Sequence, residues 1–310
     1  MSYAWGHERR YNDFSTYIRK LFNERVQKIS IHAGFTCPNR DGSKGTGGCT
    51  FCNNESFKPS YCQPAVSVSD QITKGISFFR ARHPEAKFLA YFQAYTNTYG
   101  ELSQLIDLYD EALTHSEVIG LIVGTRPDCL PPDVLDYFAA LNKRTHVTIE
   151  LGVESTSDIT LNRVNRGHDF KSTRDAVTRL ADMGISTGAH LILGLPGESR
   201  EEMLMHASRI SDLPINYLKV HQLQYVKGSQ LGSAFLQNPE NFRVFEVEEY
   251  VELVVDFLER VRPDIVMERF ASQAPHNLLL APKWGLKNFE FVRLVDKRLS
   301  ERDTWQGKLY

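Results

Sequence analysis

Apolar positions along the chain change period in a regular way. Residues 11–26 place Phe14, Tyr17, Ile18, Leu21 and Phe22 on one stripe at helical spacing, and a short strand-like run follows at 28–33. After a polar stretch, Ser69-Asp70 predicts the cap of a helix reaching residue 82, and 87–93 reads as a second strand. A polar aromatic loop at 94–99 leads into a helix over 101–115. The third unit is a strand at 117–124, ended by Thr125-Arg126-Pro127, with a helix from Pro131-Pro132-Asp133 to about residue 142. A fourth strand at 146–151 precedes a short helix at 158–164 and a longer one at 171–183. Strand five at 185–193, a Gly-Leu-Pro-Gly turn, a helix at 201–210 and strand six at 217–226 complete the series. Six such units predict an α/β fold of parallel strands covered by helices, in an order the pattern does not reveal.

From residue 241 the pattern differs. An amphipathic helix at 244–260, a strand candidate at 264–270, a loop at 271–284 rich in Pro, Asn and Lys, and a strand or helix at 288–299 follow in turn. The expected division is a helical lead-in at 1–27, a strand–helix body at 28–240 and a C-terminal extension at 241–310.

Composition narrows the class. Hydrophobic residues at 42% and charged residues at 24% fit a folded globular protein rather than a disordered one. The polar and aromatic start lacks the apolar core of a signal peptide, and no run approaches the roughly 18 apolar residues of a membrane span. Five cysteines at these spacings do not form a disulfide framework, which argues for a reducing compartment, the cytoplasm. Net charge is −2, unevenly spread: residues 1–30 carry six Lys/Arg against three Asp/Glu, and 281–310 carry seven against four. Basic ends around an acidic middle fit a nucleic-acid footprint or an ordinary solvated surface.

The chemistry concentrates at residues 31–54, IHAGFTCPNRDGSKGTGGCTFCNN, where Cys37, Cys49 and Cys52 share one glycine-rich loop after a strand. Buried structural thiols have no reason to crowd such a loop. Zinc would need a fourth ligand, for which Cys62 or His32 is available. An iron–sulfur cubane takes one thiolate per iron, so three cysteines leave one iron open to a chelating small molecule.

The phrase CPNRDGSKGTGGCTFCN resembles a lengthened cysteine motif of the radical S-adenosylmethionine (SAM) superfamily, ending in the typical Cys-x-aromatic-Cys. It resembles the YhcC/YtqA-like bacterial group, which in turn looks like a relative of the Elongator catalytic subunit and the oxygen-independent coproporphyrinogen oxidase. The resemblance spans about residues 28–290 and implies a partial (β/α)6 TIM-like barrel with a short extension. It implies that Cys37, Cys49 and Cys52 hold a [4Fe-4S] cluster whose open iron takes SAM's amine and carboxylate. The backbone near Phe51 is then expected beside the adenine.

Further candidates lie at the C-terminal ends of the strands, the active end of such folds. Gln93 and Thr96 stand where the family has a glycine-rich stretch holding SAM's amino group. The glycines are absent, and main-chain carbonyls remain for the task. Arg126 reads either as an anchor for a substrate anion or as a salt-bridged loop residue. The family glutamate two residues before it is Gly124 here, and Glu150 on the next strand is the replacement to consider. In LGVESTSDITLNRVNRGHD, Glu154 matches a glutamine that touches the ribose. Arg166 matches the arginine that pairs with SAM's carboxylate, with Arg163 the next candidate. His168 reads as a structural hydrogen-bonder. The main chain of Leu193 to Leu195 is expected at the adenine edge. Thr187 and His190 have opposite parity on strand five, so one of them faces the pocket.

On strand six, alternation puts Lys219, His221, Leu223 and Tyr225 on one face. Ionisable groups on an interior face suggest a substrate pocket, with Lys219, His221 and Arg126 as candidate catalytic side chains. A satisfied core histidine is the plain alternative for His221. In the extension, Lys283, Trp284 and Lys287 fit a stacking contact to RNA, or a tryptophan that merely seals the extension to the body.

The resemblance therefore implies a radical SAM enzyme. SAM is cleaved reductively at the cluster, and the 5′-deoxyadenosyl radical abstracts hydrogen, in modification of a tRNA wobble-uridine side chain. SAM, an electron donor such as flavodoxin or ferredoxin, and tRNA are the expected partners, with no membrane. The alternatives are a radical SAM enzyme acting on a small acidic metabolite and a non-catalytic zinc-stabilised RNA-binding protein.

Overall fold

Strand parity sorts the residues of this chain into two environments. In the computed structural model, which describes residues 3–56, 58–59, 61–63 and 65–310, β1 (Val26–Ile31) buries Ile29 and Ile31 on one face and turns Lys28 and Ser30 to the other. The first two positions of the expected lead-in lie outside the described residues. The same division recurs along β2 (Lys87–Phe92), β3 (Val118–Thr125), β4 (His146–Glu154), β5 (Ser186–Leu193) and β6 (Tyr217–Gln222). Phe88, Leu121, Val147, Ala189 and Leu218 join one large core under the helices, whereas Tyr91, Glu150, His190 and Lys219 face a cavity. Each aliphatic side chain fully buried on the helix side contributes roughly 1.5–3 kcal/mol.

The covering helices are α2 (Val68–Arg80), α3 (Leu102–Leu113), α4 (Pro132–Asn142), α5 (Asp158–Arg163), α6 (Phe170–Asp182) and α7 (Arg200–Ser211). Several start on side-chain caps. Ser199 and Glu202 close a capping box on α7, and Asp169 caps α6. The α2 cap is Ser67, which accepts from the Asp70 amide, two residues earlier than the pattern predicted.

The sheet exceeds the six-strand expectation. Its order is β1-β2-β3-β4-β5-β6-β8, all parallel, and β8 (Val266–Arg269) comes from the segment read as an extension. Helix α9 (Val247–Leu258) carries the chain back across α7, as the earlier crossovers do. Residues 241–310 are thus partly built into the curled sheet. Strand six is also shorter than predicted. β6 stops at Gln222, and β7 (Tyr225–Val226) pairs antiparallel with β9 (Leu279–Ala281). Gln222 and Gln224 fix this break by donating to the Ser272 carbonyl, each at 3.0 Å.

The ambiguous segment at 288–299 is a helix, α10 (Asn288–Glu301). Trp284, just before it, stacks on Phe291 with ring centroids 5.5 Å apart and planes 9° apart, and donates to the Phe245 carbonyl at 2.8 Å. The tryptophan is therefore a seal against the body and not a free stacking platform. At the other end, α1 (Phe14–Phe22) sends Phe14 and Ile18 against Leu89, Ile122 and Tyr217, closing the bottom of the barrel. Among the described residues, no helix is long and apolar enough to cross a membrane.

Candidate active site

The loop after β1 is folded onto the segment after α5. Asn165 donates from Nδ2 to the Gly48 carbonyl at 2.9 Å, Asn39 donates from Nδ2 to the Asn165 carbonyl at 2.5 Å, and the Thr50 amide donates to the Val164 carbonyl at 3.0 Å. Gly167 makes this approach possible. Its φ is +74°, and a Cβ there would stand 2.9 Å from Asn39 Oδ1. The clamp brings Cys37, Cys49 and Cys52 to the rim of one cavity of about 480 Å³.

Each sulfur faces an N–H donor. Arg166 Nη1 lies 3.6 Å and Asn39 Nδ2 3.7 Å from Cys49 Sγ, Asn54 Nδ2 lies 3.6 Å from Cys52 Sγ, and Arg126 Nη1 lies 4.0 Å from Cys37 Sγ. Donors of this kind suit sulfurs that carry negative charge as metal thiolates. Burial, then the neighbouring Cys49, pushes the Cys52 thiol up to about 11. It ligates a metal only by giving up that proton. Among the described residues, no three His, Cys, Asp or Glu side chains form a group that could hold a single ion. All five cysteines are free. Cys62 and Cys129 are buried away from the cavity, with thiols pushed up to about 12 chiefly by burial.

Arg126 is salt-bridged. It forks onto Asp128 at 2.9 and 3.0 Å and donates from Nη1 to the Arg166 carbonyl at 2.9 Å. Burial pushes the Asp128 carboxyl up, but the Arg126 fork outweighs it and holds the group below the usual range. Of the two readings of Arg126, the geometry displays the loop-bracing one, which leaves little of the guanidinium for a substrate.

Arg166 is buried, with Nη2 donating to the Gly152 carbonyl at 2.5 Å and Glu154 Oε1 at 3.8 Å. Its Nε is buried without a partner. Glu154 holds a left-handed backbone, φ 69°, at an irregularity in the β4–β5 pairing. Such a conformation is uncommon for a residue with a side chain and concentrates at working sites. Beside them, a Cβ on Gly152 would stand 2.6 Å from Glu154 Oε1 and 2.8 Å from Arg166 Nη2, so glycine keeps this corner open. An orphan cationic donor next to a carboxylate and a glycine-lined space fits an amino acid moiety and a ribose. Arg163, the second candidate, instead donates to the Pro196 carbonyl at 2.7 Å. His168 is largely buried, donor-poor and held down to about 3 by burial and then by Arg166, which fits a structural neutral ring.

Phe51, Gln93 and Thr96 line the cavity. Leu193 and Leu195 do not: their side chains join the two apolar cores, and the strand's inward residue is Ile192. Their carbonyls already accept from Leu223 and Glu198 amides, so the sequence expectation rests there on whatever acceptor capacity is left.

Glu150 is mid-strand rather than at the strand end, and in register with Gly124. Its carboxylate is fully engaged. Lys219 reaches it at 2.6 and 2.8 Å, Lys28 at 3.0 Å and His190 Nε2 at 3.0 Å. Burial alone would push this carboxyl up, but Lys219, then Lys28 and His190, hold it well below the usual range. Both lysines also contact Glu268, at 2.6 Å from Lys28 and 2.9 Å from Lys219, and Tyr91 Oη sits 3.3 Å from Lys219. His190 takes the inward parity and Thr187 is buried outward. Lys219, His221 and Leu223 line the cavity as the alternation predicts, but Tyr225 packs in the satellite core because β6 has already ended. Sequence reasoning did not single out Lys28, Tyr91, Glu268 or Arg269. The legible signal was a polar residue on the inward parity of most strands, β3 excepted, where Ile122 and Gly124 stand.

Comparison with known proteins follows the same lines. Residues 37–210 match the Radical SAM superfamily, and residues 215–301 match the Radical_SAM C-terminal domain. The chain is 35% identical to YtqA of Bacillus subtilis over 98% of its length and 94% of that protein, and 35% identical to YhcC of Escherichia coli over 94% and 92%. A tRNA uridine(34) acetyltransferase of Methanocaldococcus infernus is 24% identical over 59% of this chain and 34% of that one. Among solved structures, the archaeal Elp3 of M. infernus superposes with a TM-score of 0.69 at 18% identity, covering 91% of this chain and 64% of that one.

Proposed function

The chain belongs to the radical SAM superfamily, and from that premise we propose that it modifies the side chain of a uridine at the wobble position of tRNA. Enzymes of this superfamily use a [4Fe-4S] cluster and SAM, and those are the cofactors of this chain. When bound, they supply a 5′-deoxyadenosyl radical that removes a hydrogen atom from a substrate carbon.

The protein's own residues do the rest. Cys37, Cys49 and Cys52 hold the cluster, and the N–H donors of Asn39, Asn54, Arg126 and Arg166 steady the sulfur charge. Arg166 takes SAM's carboxylate with the donor now unpartnered, and Glu154 accepts from the ribose hydroxyls. Phe51 and Ile192 form an apolar wall for the adenine. Gln93 and Thr96 border the amino group. The cysteines' alignment with separate donors on one cavity is the observation that carries the catalytic reading. Beyond it, the uridine substrate is supported by likeness to the uridine(34) acetyltransferase and by the Elp3-like fold.

An electron donor such as flavodoxin or ferredoxin delivers the reducing electron, in the cytoplasm. A small acidic metabolite is the second reading, favoured by the cations that line the cavity. Mass spectrometry of nucleosides from total tRNA, with and without the gene, separates them. Loss or precursor accumulation of one modified uridine supports the tRNA reading, and an unchanged nucleoside profile refutes it in favour of the metabolite.

A further inference from the structure

The charges at the floor of the cavity do not all find partners. Lys28 and Lys219 each bridge Glu150 and Glu268, so two cations and two carboxylates close on one another. The next residue on β8, Arg269, also lines the cavity, lies in register with Lys219, and has no ion pair or hydrogen bond among the described residues. Its Nε is buried without an acceptor. Arg269 is half-buried in the cavity wall with its Nε unsatisfied, and a rigid planar fork is suited to a carboxylate or phosphate. His221 beside it does not supply the missing charge. Its Nδ1 donates to the Gln222 carbonyl at 2.9 Å, and the ring is neutral. Arg166, which also lines this cavity with an orphan donor, stands at the cysteine loop and serves a different group.

We infer that Arg269 receives an anionic group of the substrate, a carboxylate or a phosphate, within the cavity that the cysteine loop borders. This rests on the cavity being the reaction site but not on the substrate being tRNA. The seventh strand thereby contributes a specificity residue, and a neutral substrate is disfavoured.

Titration calorimetry on the reconstituted, SAM-bound holoenzyme tests this with inorganic phosphate and malonate as probes. At least one anion is expected to bind the wild type, with affinity falling tenfold or more in Arg269→Gln and largely kept in Arg269→Lys. A preference for phosphate marks a nucleotide source, and a preference for malonate a carboxylic acid. SAM affinity, measured in parallel, reports that the variant is folded and loaded. Absence of binding by both anions to the wild type, or equal binding by Arg269→Gln, overturns the inference. Neither result bears on the nucleoside comparison, so the two readings fail separately.

Discussion

Arg166 touches both halves of the site: Nη1 lies 3.6 Å from Cys49 Sγ, and Nη2 donates to the Gly152 carbonyl beside Glu154. One guanidinium therefore links a proposed cluster ligand to the proposed SAM pocket. Removing a charged hydrogen-bonding partner typically costs about 1.5–3 kcal/mol, or roughly a 10- to 150-fold loss of affinity. Arg166→Ala is expected to weaken SAM binding by that order while keeping its iron. It should also move the cluster's reduction potential to a more negative value, because a cation and an N–H···S contact disappear. Equilibrium dialysis with SAM and a redox titration followed by electron paramagnetic resonance check the two effects. Unchanged SAM affinity would move the carboxylate to another residue.

Ligand identity is tested by iron content. Single Ala replacements of Cys37, Cys49 and Cys52 should each abolish the cluster's visible absorbance after anaerobic reconstitution. Cys62→Ala and Cys129→Ala, both away from the cavity, should keep about four irons per chain. Loss of iron in either of these two would remove the assignment.

These two predictions rest on the part of the site that was legible in the sequence. The cysteine loop and the arginine past strand four were legible through the family motifs they resemble, and the Asn39 and Asn165 side chains help to carry them together. The parity of each strand was legible too, because apolar residues mark the outward face. The seventh strand was read as a strand candidate at 264–270, but its place in the sheet was not legible. Residues 266–269 form a short run whose place is set by the return of α9 and by pairing to β6. Lys28, Glu268 and Arg269 matter only through partners on other strands or through lacking one, and no spacing rule encodes that. Leu193 and Leu195 were singled out for their main chain; their side chains turn to the apolar cores, and strand parity gives the pocket-facing side chain to Ile192.

Glu154 offers a test in which stability and binding separate. Its left-handed backbone, φ 69°, is unfavourable for a residue with a Cβ by roughly 1–2 kcal/mol. Glu154→Gly should therefore raise the urea midpoint of the protein without SAM, or leave it unchanged, while weakening SAM binding at least fivefold. A variant that is both less stable and unaltered in SAM affinity would show the conformation to be serving the fold.

The charge cluster predicts a pH dependence. The Glu150 carboxyl is held low, so its contribution to stability is present above the usual glutamate value of about 4.3 and is lost as pH falls below it towards the folded value. Lys219→Met breaks a buried pair, expected to cost about 3–5 kcal/mol. It should also shift the acid unfolding transition to higher pH. Urea titrations at pH 7 and at about pH 3.5, on either side of the glutamate value, on both proteins measure this. A parallel loss at the two values, with the same acid midpoint, would argue against the depressed carboxyl.

For RNA contact, the exposed lysines on either side of the sealed tryptophan remain the site to test. Lys283→Ala with Lys287→Ala should weaken tRNA binding and flatten its dependence on salt, since both side chains are exposed. Trp284→Ala should instead lower thermal stability, because its ring stacks on Phe291. Filter binding at two salt concentrations decides the first, and identical curves for the double variant and the wild type would exclude this surface.

The interlock of Lys28, Glu150, Lys219 and Glu268 also bears on how this protein can evolve. Because each lysine serves both glutamates, a lone substitution at any of the four strands an uncompensated charge, whereas a concerted apolar replacement need not be harmful. The four positions lie on four strands far apart in the gene, yet selection sees them as one character. Descendants are expected to inherit the quartet whole or to lose it whole, with intermediate genotypes surviving only where a second change arrives quickly.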